Sequence, residues 1–253
     1  MLYNNVDSAS RQKKIRNVSV VMEKTQNKYI SIAIDGPSGS GKSTLAKLIS
    51  AKLGFVYIDT GSLYRSIGLF VLSKGIARDD IEGIIKVLPE IELSLTFVDG
   101  ASIPVLNGKK LFDEIRTPEI SAYASDVSKI PEVRFFLLDI QRNIALSNNV
   151  VMDGRDIGTV ILPDAQVKIF LTADDSTRAE RRYIELRQKG INITKEEIFE
   201  QIVWRDKNDS TRKVAPAIPA EDAVLLNNSG MNIDETYNEA IKIIKDKVDF
   251  IGV

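Results

Sequence analysis

The sequence predicts an α/β protein, and three of its features support this prediction. Residues 29–35 form an apolar, β-branched run, followed by a glycine-rich turn, a helical pattern at 43–53 and a second apolar run at 55–58. Further apolar runs alternate with helical patterns after residue 150. Between these regions, residues 91–112 carry the turn signals of a small antiparallel insertion. We therefore expect a mainly parallel sheet with flanking helices and an inserted α+β segment.

The first unit has the order strand, loop, helix and strand. Leu45, Leu48 and Ile49 recur at helical spacing, and Gly54 ends the pattern. Because a crossover between two strands of one sheet is right-handed, this order predicts that the two strands are parallel.

The insertion at 91–112 alternates in polarity and contains tight-turn dipeptides at Asp99-Gly100 and Asn107-Gly108. Two such turns between short runs predict a three-stranded antiparallel meander. Pro104 weakens the middle strand, because proline cannot donate to a central ladder.

The remaining elements follow from start signals and periodicity. Pro131 suits the first turn of a helix over 132–146, and Thr194 and Glu197 have the spacing of a capping box. Further strands are predicted at 150–153, 166–172 and 223–227. Further helices are predicted at 175–188, 194–206 and 234–248.

Composition excludes several kinds of chemistry. The 253 residues include 34 basic and 35 acidic side chains, and neither His nor Cys is present. Thiolate metal sites, disulfides and imidazole acid–base catalysis are therefore excluded. The balanced charge argues against broad nucleic-acid binding, and the absence of a long apolar run argues against a membrane span. Since residues 1–28 lack the apolar core of a signal peptide, we expect a cytoplasmic protein.

A phosphate-binding loop is the strongest motif in the chain. Residues 36–43 match G-x-x-x-x-G-K-[ST] between a predicted strand and a predicted helix. Glycines allow successive amides to face one anion, and the helix N-terminus adds partial positive charge. Lys42 is expected to reach the β- and γ-phosphates and Ser43 to ligate Mg²⁺; an ordinary glycine-rich connection is the alternative. The predicted ATP-binding residues are Gly36, Pro37, Ser38, Gly39, Ser40, Gly41, Lys42, Ser43 and Thr44.

Charged residues outside this loop form three further candidate groups. Asp153 ends a predicted strand and precedes Arg155 and Asp156, at the sheet edge where α/β proteins bind ligands. The alternative for Asp153 is a simple strand-terminal turn. The other two groups lie on predicted helices and comprise Arg178, Arg181 and Arg182 in one, and Arg205, Asp206, Lys207, Asp209, Arg212 and Lys213 in the other.

The arginines of the first helical group share a face and repel one another unless an anion is present, so they are candidates to close over a triphosphate. A solvated face balanced by Glu180 and Glu185 is the alternative. A surface ion-pair network is the alternative for the second group.

Six segments in order resemble one family, the bacterial cytidylate kinases, over about residues 29–248. They are IDGPSGSGKST (34–44), DTGSLYR (59–65), EIRTPEISAYASDVSKIPEVR (114–134), DGRDIGTVILPDAQVKIFL (153–171), RAERR (178–182) and RDKNDSTRKVAP (205–216). The Asn-Lys-x-Asp segment of guanine-specific proteins is missing, since residues 27–30 fail at the Asp.

The resemblance implies a P-loop NTPase-type core with a five-stranded parallel sheet. This core would comprise residues 29–60 and 147–253, with a short lid near 174–192. A nucleoside-monophosphate-binding region would be inserted at 61–146. Residues 1–28 are expected to be a disordered extension.

The resemblance also implies site residues. Ser125 and Asp156 would accept from the cytosine amine while Arg134 donates to the ring edge, and Asp209 would accept from the sugar. Arg65, Arg155 and Arg205 would hold the acceptor phosphate. The expected CMP-binding set is Thr60, Arg65, Ser125, Arg134, Arg155, Asp156, Arg205, Asp209 and Arg212. The expected catalytic set is Lys42, Asp153, Arg155, Arg178 and Arg182.

Two positions depart from some relatives. Thr60 stands where serine is common, and Ser43 stands where glycine is common. The first departure keeps a hydroxyl, and the second supplies a Mg²⁺ ligand.

The implied activity is transfer of the γ-phosphoryl group of ATP–Mg²⁺ to CMP or dCMP. Because the second pKa of a phosphate monoester is near 6, the acceptor oxygen is already anionic at neutral pH and needs no dedicated base. We expect ATP and CMP or dCMP as the partners of a monomer, without nucleic acid or membrane. A uridylate or adenylate kinase and a nucleotide-dependent switch are the rival functions.

Overall fold

The computed structural model describes residues 28–98, 101–188 and 190–249. In this part of the chain, one sheet has the strand order β3-β4-β2-β6-β1-β7-β8, and β5 lies beside β4. The strands are β1 (Ser31–Asp35), β2 (Val56–Asp59), β3 (Leu93–Val98), β4 (Ala101–Leu106), β5 (Lys109–Lys110), β6 (Val150–Gly154), β7 (Val167–Thr172) and β8 (Val224–Asn227).

Eight α-helices surround this sheet in the described residues. They are α1 (Lys42–Leu53), α2 (Thr60–Ser73), α3 (Ile81–Val87), α4 (Pro118–Val127), α5 (Pro131–Ala145), α6 (Asp175–Gln188), α7 (Lys195–Thr211) and α8 (Ile233–Lys247). None of the described helices is long and apolar enough to cross a membrane. The expected disorder at 1–28 falls, except for Lys28, outside the described residues.

The predicted five-stranded parallel sheet is confirmed. Strands β2, β6, β1, β7 and β8 are parallel neighbours. In the register, Asp35 faces Gly154 and Asp59 faces Asp153, so these acidic residues meet at one edge of the sheet. Because β6 lies between β1 and β2, residues near position 153, about 110 positions after the phosphate loop, lie beside it.

The antiparallel meander of β3, β4 and β5 is also confirmed. Asn107 and Gly108 both have positive φ, at 47° and 79°, as a two-residue type I′ turn requires. The Asp99-Gly100 turn lies outside the described residues. The sequence does not predict that the meander continues the parallel sheet, which it does through the pairing of Tyr57 with Ala101.

Helices α2, α3 and α4 are absent from the sequence predictions. Buried residues occur all around α2, so this helix has no clear apolar stripe. A Cβ at Gly68 would lie 2.9 Å from Tyr123 Cβ, so glycine permits the close approach of α2 and α4. Helix α7 also runs about one turn beyond its predicted end, which brings Asp209 into the helix.

Apolar residues form four clusters that divide the molecule. One cluster joins the meander to α2–α5, and two others cover the faces of the parallel sheet. The fourth is small and joins only α6 and α7 through residues that include Ala179, Leu186, Ile198 and Ile202. The α6–α7 hairpin therefore has an apolar core of its own.

Candidate active site

The phosphate loop connects β1 to α1 and needs glycine at several positions. Gly36, Gly39 and Gly41 have φ values of 145°, 75° and 90°. A Cβ at Gly36 would lie 2.0 Å from the Leu171 carbonyl oxygen, a severe clash. Glycine is required here because only it combines this backbone conformation with so close an approach. The loop is thereby held against the edge of the sheet.

Lys42 begins α1 and turns back over the loop. Its Nζ donates to the Pro37 carbonyl oxygen at 2.6 Å, and the side chain is buried. Burial, and then the positive charge of Arg155, lowers the pKa of Lys42 well below its ordinary value. An anion in the loop would favour the charged ammonium and offset both effects. Ser43 and Thr44, by contrast, are exposed at the helix start.

Asp153 connects the loop to the end of β6. Its carboxylate accepts from Ser43 Oγ at 2.7 Å and from the Tyr57 hydroxyl at 2.8 Å. Burial, and then the nearby Asp59, raises the pKa of Asp153. Sequence reasoning missed Tyr57, because a tyrosine in an apolar strand has no distinguishing pattern.

The oxygen atoms of Ser43 and Asp153 suit a hard cation such as Mg²⁺. No group of three acidic, His or Cys side chains that could hold a metal occurs among the described residues. A cation at this position would therefore take most of its ligands from nucleotide phosphates and water, as Mg²⁺ commonly does.

Asp59, at the end of β2, organises the adjacent basic residues. It pairs with Arg65 at 2.7 Å and with Arg116 at 3.5 Å, while Thr60 Oγ1 donates to the Asp153 carbonyl oxygen at 2.8 Å. Arg65 Nε is buried without a hydrogen-bond partner. Arg116 was not predicted from the sequence, although it lies within one of the recognised segments.

A second group of residues surrounds the buried carboxylate of Asp156. Asp156 forms an ion pair with Arg134 and lies 3.6 Å from Arg212. Arg134 also donates to the Ser128 carbonyl oxygen at 3.3 Å, and the Ser128 hydroxyl donates to the Ser125 carbonyl oxygen at 2.8 Å. Burial raises the pKa of Asp156, although both arginines act in the opposite direction. The structure thus pairs Arg134 with Asp156, whereas Ser125 is connected to them only through its carbonyl oxygen and Ser128, so its predicted contact with the base stays a prediction.

A third group of residues joins Arg155, Arg205 and Asp209. Arg155 Nε donates to Asp209 at 3.1 Å, and Arg205 Nε lies 3.9 Å from the same carboxylate. Burial, and then Arg155, lowers the pKa of Arg205 to about 10. Arg205 Nε is buried without a hydrogen bond, like Arg65 Nε. Buried donors without partners are unfavourable, so both atoms are suited to receive an anion.

Asp35 connects the phosphate loop to the residues around Asp156. Its carboxylate accepts from the Ile157 amide at 2.8 Å and from the Gly158 amide at 2.7 Å. Burial raises the pKa of Asp35 from its ordinary value near 3.8 to about 6, although both hydrogen bonds favour the ionised form. The residue just before the phosphate loop therefore orients the segment that carries Arg155 and Asp156.

The three arginines of α6 have different environments. Arg178 is buried and donates to four acceptors, which lie on Ser38, Ala173, Asp175 and Asp206. Four of its five donors are therefore occupied by protein, and this side chain supports the loop. Its predicted role in catalysis stays a prediction.

Arg181 contacts Asn228, beside the loop, at 3.0 Å. Arg182 pairs with Glu185 at 2.7 Å, and its side chain is 41% exposed, whereas that of Arg178 is 4% exposed. It lies near enough to Arg205 for its charge to lower the pKa of that arginine. The arginines expected to share one face therefore differ in role: Arg178 supports the loop, whereas Arg182 is accessible to solvent.

Comparisons with known proteins agree with this arrangement. A sequence model described as cytidylate kinase matches residues 32–246. A cytidylate kinase of Caldicellulosiruptor saccharolyticus is 46% identical over 85% of this chain and 96% of its own length. One of Thermosipho melanesiensis is 49% identical over 85% of this chain and 97% of its own. At this similarity, and with the predicted site residues gathered at one sheet edge, the chain belongs to the cytidylate kinase family.

Proposed function

We propose that the chain transfers the γ-phosphoryl group of ATP to CMP, and also to dCMP, forming ADP and CDP or dCDP. The observation that carries this proposal is the position of the phosphate loop beside the cluster of Arg65, Arg155 and Arg205 near the ends of β2 and β6, which is proposed to form the acceptor pocket. Asp59 and Asp153 are opposite each other in the sheet, and Thr60 bonds across that junction. A donor phosphate and an acceptor phosphate can therefore meet at one place.

Arg65, Arg155 and Arg205 are proposed to bind the acceptor phosphate. The Nε atoms of Arg65 and Arg205 are buried donors without hydrogen bonds. A dianionic monophosphate would supply acceptors to both and offset the repulsion that Arg155 exerts on Arg205. Arg182 is a candidate for a further contact, because its side chain is 41% exposed.

The group around Asp156 is proposed to recognise cytosine. The Asp156 carboxylate can accept from the exocyclic amine, while Arg134 donates to the ring edge and Ser125 and Arg212 complete the pocket. Uracil would turn a carbonyl oxygen toward the Asp156 carboxylate, so two acceptors would face each other where cytosine places a donor. Such a mismatch costs about 1–3 kcal/mol, which favours CMP over UMP.

Asp209 is proposed to accept from the sugar. It already accepts from Arg155 at 3.1 Å, so a ribose hydroxyl would add a second partner to the same carboxylate. dCMP, which lacks one hydroxyl, would keep every contact to the base and phosphate. Both nucleotides should therefore be substrates.

Ser43 and Asp153 are proposed to hold Mg²⁺ together with the phosphates of ATP. The ion supplies positive charge to the transferring group. Lys42 and the acceptor arginines add to this neutralisation, which is the main source of catalysis in phosphoryl transfer. The acceptor oxygen is anionic at neutral pH, so the absence of His from the chain is no obstacle.

The same proposal assigns the regions of the chain. Residues 29–60 and 147–253 would form the ATP-binding core with its lid near 174–192, and residues 61–146 the acceptor-binding region. The chain is proposed to act as a monomer. Free nucleotides as substrates support a cytoplasmic location.

The test compares initial rates with CMP, dCMP, UMP and AMP at equal concentrations, with ATP and MgCl₂. We expect CMP and dCMP to give the highest rates, and little ATP hydrolysis without an acceptor. A preference for UMP or AMP would overturn the assignment of the base pocket. Acceptor-independent hydrolysis as fast as the transfer would instead indicate a nucleotide-dependent switch.

A further inference from the structure

The α6–α7 hairpin is joined to the phosphate loop by polar contacts. Its apolar cluster contains residues of α6, α7 and their connection only. The contacts that cross to the loop include Arg178 with the Ser38 carbonyl oxygen at 2.8 Å and Arg181 with the Ser40 carbonyl oxygen at 3.5 Å. The position of this hairpin relative to the loop therefore depends on hydrogen bonds and ion pairs.

Helix α6 is fastened closely to the loop. A Cβ at Gly39 would lie 3.2 Å from both Cβ and the carbonyl oxygen of Arg178, so the two backbones approach as near as glycine allows. Arg178 Nε additionally donates to the Ala173 carbonyl oxygen at 2.9 Å, just before the helix. The beginning of α6 and the loop thus form one support.

Helix α7 reaches the same loop residue through Asp206. One Asp206 oxygen accepts from the Ser38 amide at 3.3 Å, and the other forms an ion pair with Arg178. Both backbone groups of Ser38 are therefore held by the Asp206–Arg178 pair, one by each partner. Neither the phosphoryl-transfer chemistry nor the recognition of CMP described above uses Asp206.

The helical turn that contains Asp206 also faces the acceptor pocket. Arg205 and Asp209 lie within one turn of it, and Asp209 binds Arg155 at 3.1 Å. A single turn of α7 therefore contacts the donor loop on one side and the proposed phosphate-binding arginines on the other. A displacement of this helical turn toward a bound phosphate would move Arg205 and Asp206 together, because the turn is a hydrogen-bonded unit.

We propose that Asp206 is a positioning residue that couples occupancy of the acceptor pocket to the shape of the phosphate loop. This inference rests on the proposed function, since it requires ATP and CMP to bind at the two places named above. When CMP is bound, its contacts with Arg205 and Asp209 hold α7 in place. Asp206 then keeps the Ser38 backbone in the loop conformation that binds ATP. Because coupling between two binding equilibria is reciprocal, ATP must tighten CMP binding by the same factor.

The single tryptophan of the chain provides a direct reporter. Trp204 lies two residues before Asp206 on α7, and 63% of it is exposed. Its fluorescence can follow the binding of CMP with and without a saturating, non-hydrolysable imido analogue of ATP and MgCl₂. We expect the analogue to lower the dissociation constant of CMP by about fivefold or more, a typical coupling between sites. In Asp206→Asn and Asp206→Ala, the ratio of the CMP dissociation constants without and with the analogue (the coupling ratio) should fall to about one.

Asp175→Asn is the matched control. Asp175 pairs with the same arginine at 2.5 Å, but it lies on α6 with Arg178 and makes no link to α7. This variant should keep the coupling ratio of the unmodified protein. Melting temperatures of all three variants report whether a loss of folding contributes.

Separate effects on KM and kcat in steady-state kinetics distinguish coupling from a structural role. If Asp206 positions the loop, Asp206→Asn should raise the KM for ATP at saturating CMP more than it lowers kcat. If both Asp206 variants bind CMP tightly and the ATP analogue still lowers its dissociation constant by the same factor as in the unmodified protein, the coupling role of Asp206 is overturned but the proposed function is not. An equal loss in Asp175→Asn would overturn the coupling role too. No CMP binding to the unmodified protein would overturn both the proposed function and this inference.

Discussion

The donor loop and the acceptor pocket lie side by side, yet they are built differently. The loop is one stretch of eight residues, 36–43, whose glycines set its backbone and whose lysine bonds within it. The pocket is assembled from side chains of α2, α4, α5, α7 and the segment after β6. Its arginines are balanced by buried carboxylates such as Asp156 and Asp209.

This difference shows two ways of preparing a site for an anion. Backbone amides and a helix end attract phosphate without specifying which nucleotide carries it. Side chains from several helices can discriminate between nucleotides. Their charges, however, must be paired with other side chains when no nucleotide is bound. Changes in the loop should therefore abolish turnover, whereas changes in the pocket should alter its preference.

The largest effect is expected for Lys42→Ala, because this removes the positive charge nearest the transferring group. Turnover should fall by about 1,000-fold, comparable to loss of a principal electrostatic contact in other enzymes. Initial rates with saturating ATP and CMP measure it. The fold should persist, since burial lowers the pKa of Lys42 and the charged side chain is costly there.

Lys52→Ala provides a control on the same helix, because Lys52 is exposed in the last turn of α1. Its turnover should equal that of the unmodified protein. Near-normal turnover in Lys42→Ala would refute the electrostatic role of the loop lysine.

Asp35, which connects the loop to the segment carrying Asp156, should make the free energy of unfolding depend on pH. The folded protein holds the Asp35 proton up to about pH 6, whereas the unfolded chain releases it near 3.8. Folding thus binds protons in this range, and the free energy of unfolding should fall as pH rises from about 4 to 6. A shift of two pKa units corresponds to about 3 kcal/mol. Urea unfolding at half-unit steps of pH measures this decrease.

Asp153 and Asp156, whose pKa values are also raised, contribute a decrease of the same sign. Asp35→Asn should be less stable overall, since Ile157 and Gly158 each donate to a different carboxylate oxygen and the amide nitrogen that replaces one of them would face an N–H donor. Its decrease between pH 4 and 6 should nevertheless be shallower. Equal slopes in the two proteins would show that Asp35 is not the source.

Specificity should respond to Asp156→Asn. The change keeps the shape of the side chain but removes the charge that pairs with Arg134 and Arg212. We expect the ratio of kcat/KM for CMP to that for UMP to fall about tenfold, within the cost of an unpaired buried group. Asp139→Asn, on an exposed face of α5, should leave the ratio unchanged. A constant ratio in Asp156→Asn would exclude this carboxylate from base recognition.

The smallest effect is expected for the sugar contact. Asp209→Asn should reduce the preference for CMP over dCMP by about two- to tenfold, the value of one hydrogen bond. Both rates should also fall, because Asp209 orients Arg155. The ratio isolates the sugar contact, since that orienting effect acts on both substrates. A ratio that stays constant while both rates fall would confine Asp209 to positioning.

Much of the fold could be predicted because its signals are local. The parallel strands and the meander were predicted from apolar runs and tight turns, with boundaries close to those observed. Helix α2 could not be predicted in this way, since it is buried on most sides and Gly68 fits against Tyr123. The junction of Tyr57 with Ala101, which joins the meander to the main sheet, has no local signal either.

The candidate site divides along the same line. The motif predicted Lys42 and Ser43, and family resemblance supplied the roles of Asp156 and Arg205, which charge patterning had only marked as candidates. Tyr57 escaped both, because its contact with Asp153 joins residues far apart in the chain. Asp206 was noticed only as one charge in a cluster, and its contact with the Ser38 amide could not be inferred from spacing.

The sequence by itself determined the phosphate loop, the parallel strands and the antiparallel meander. Glycine conformations, helix starts and strand periodicity depend on neighbours within a few residues. Only the tertiary structure decided which carboxylate faces which arginine, and that one turn of α7 touches both the loop and the pocket. Such contacts depend on how helices pack, and a helical pattern specifies a buried face without specifying its partner.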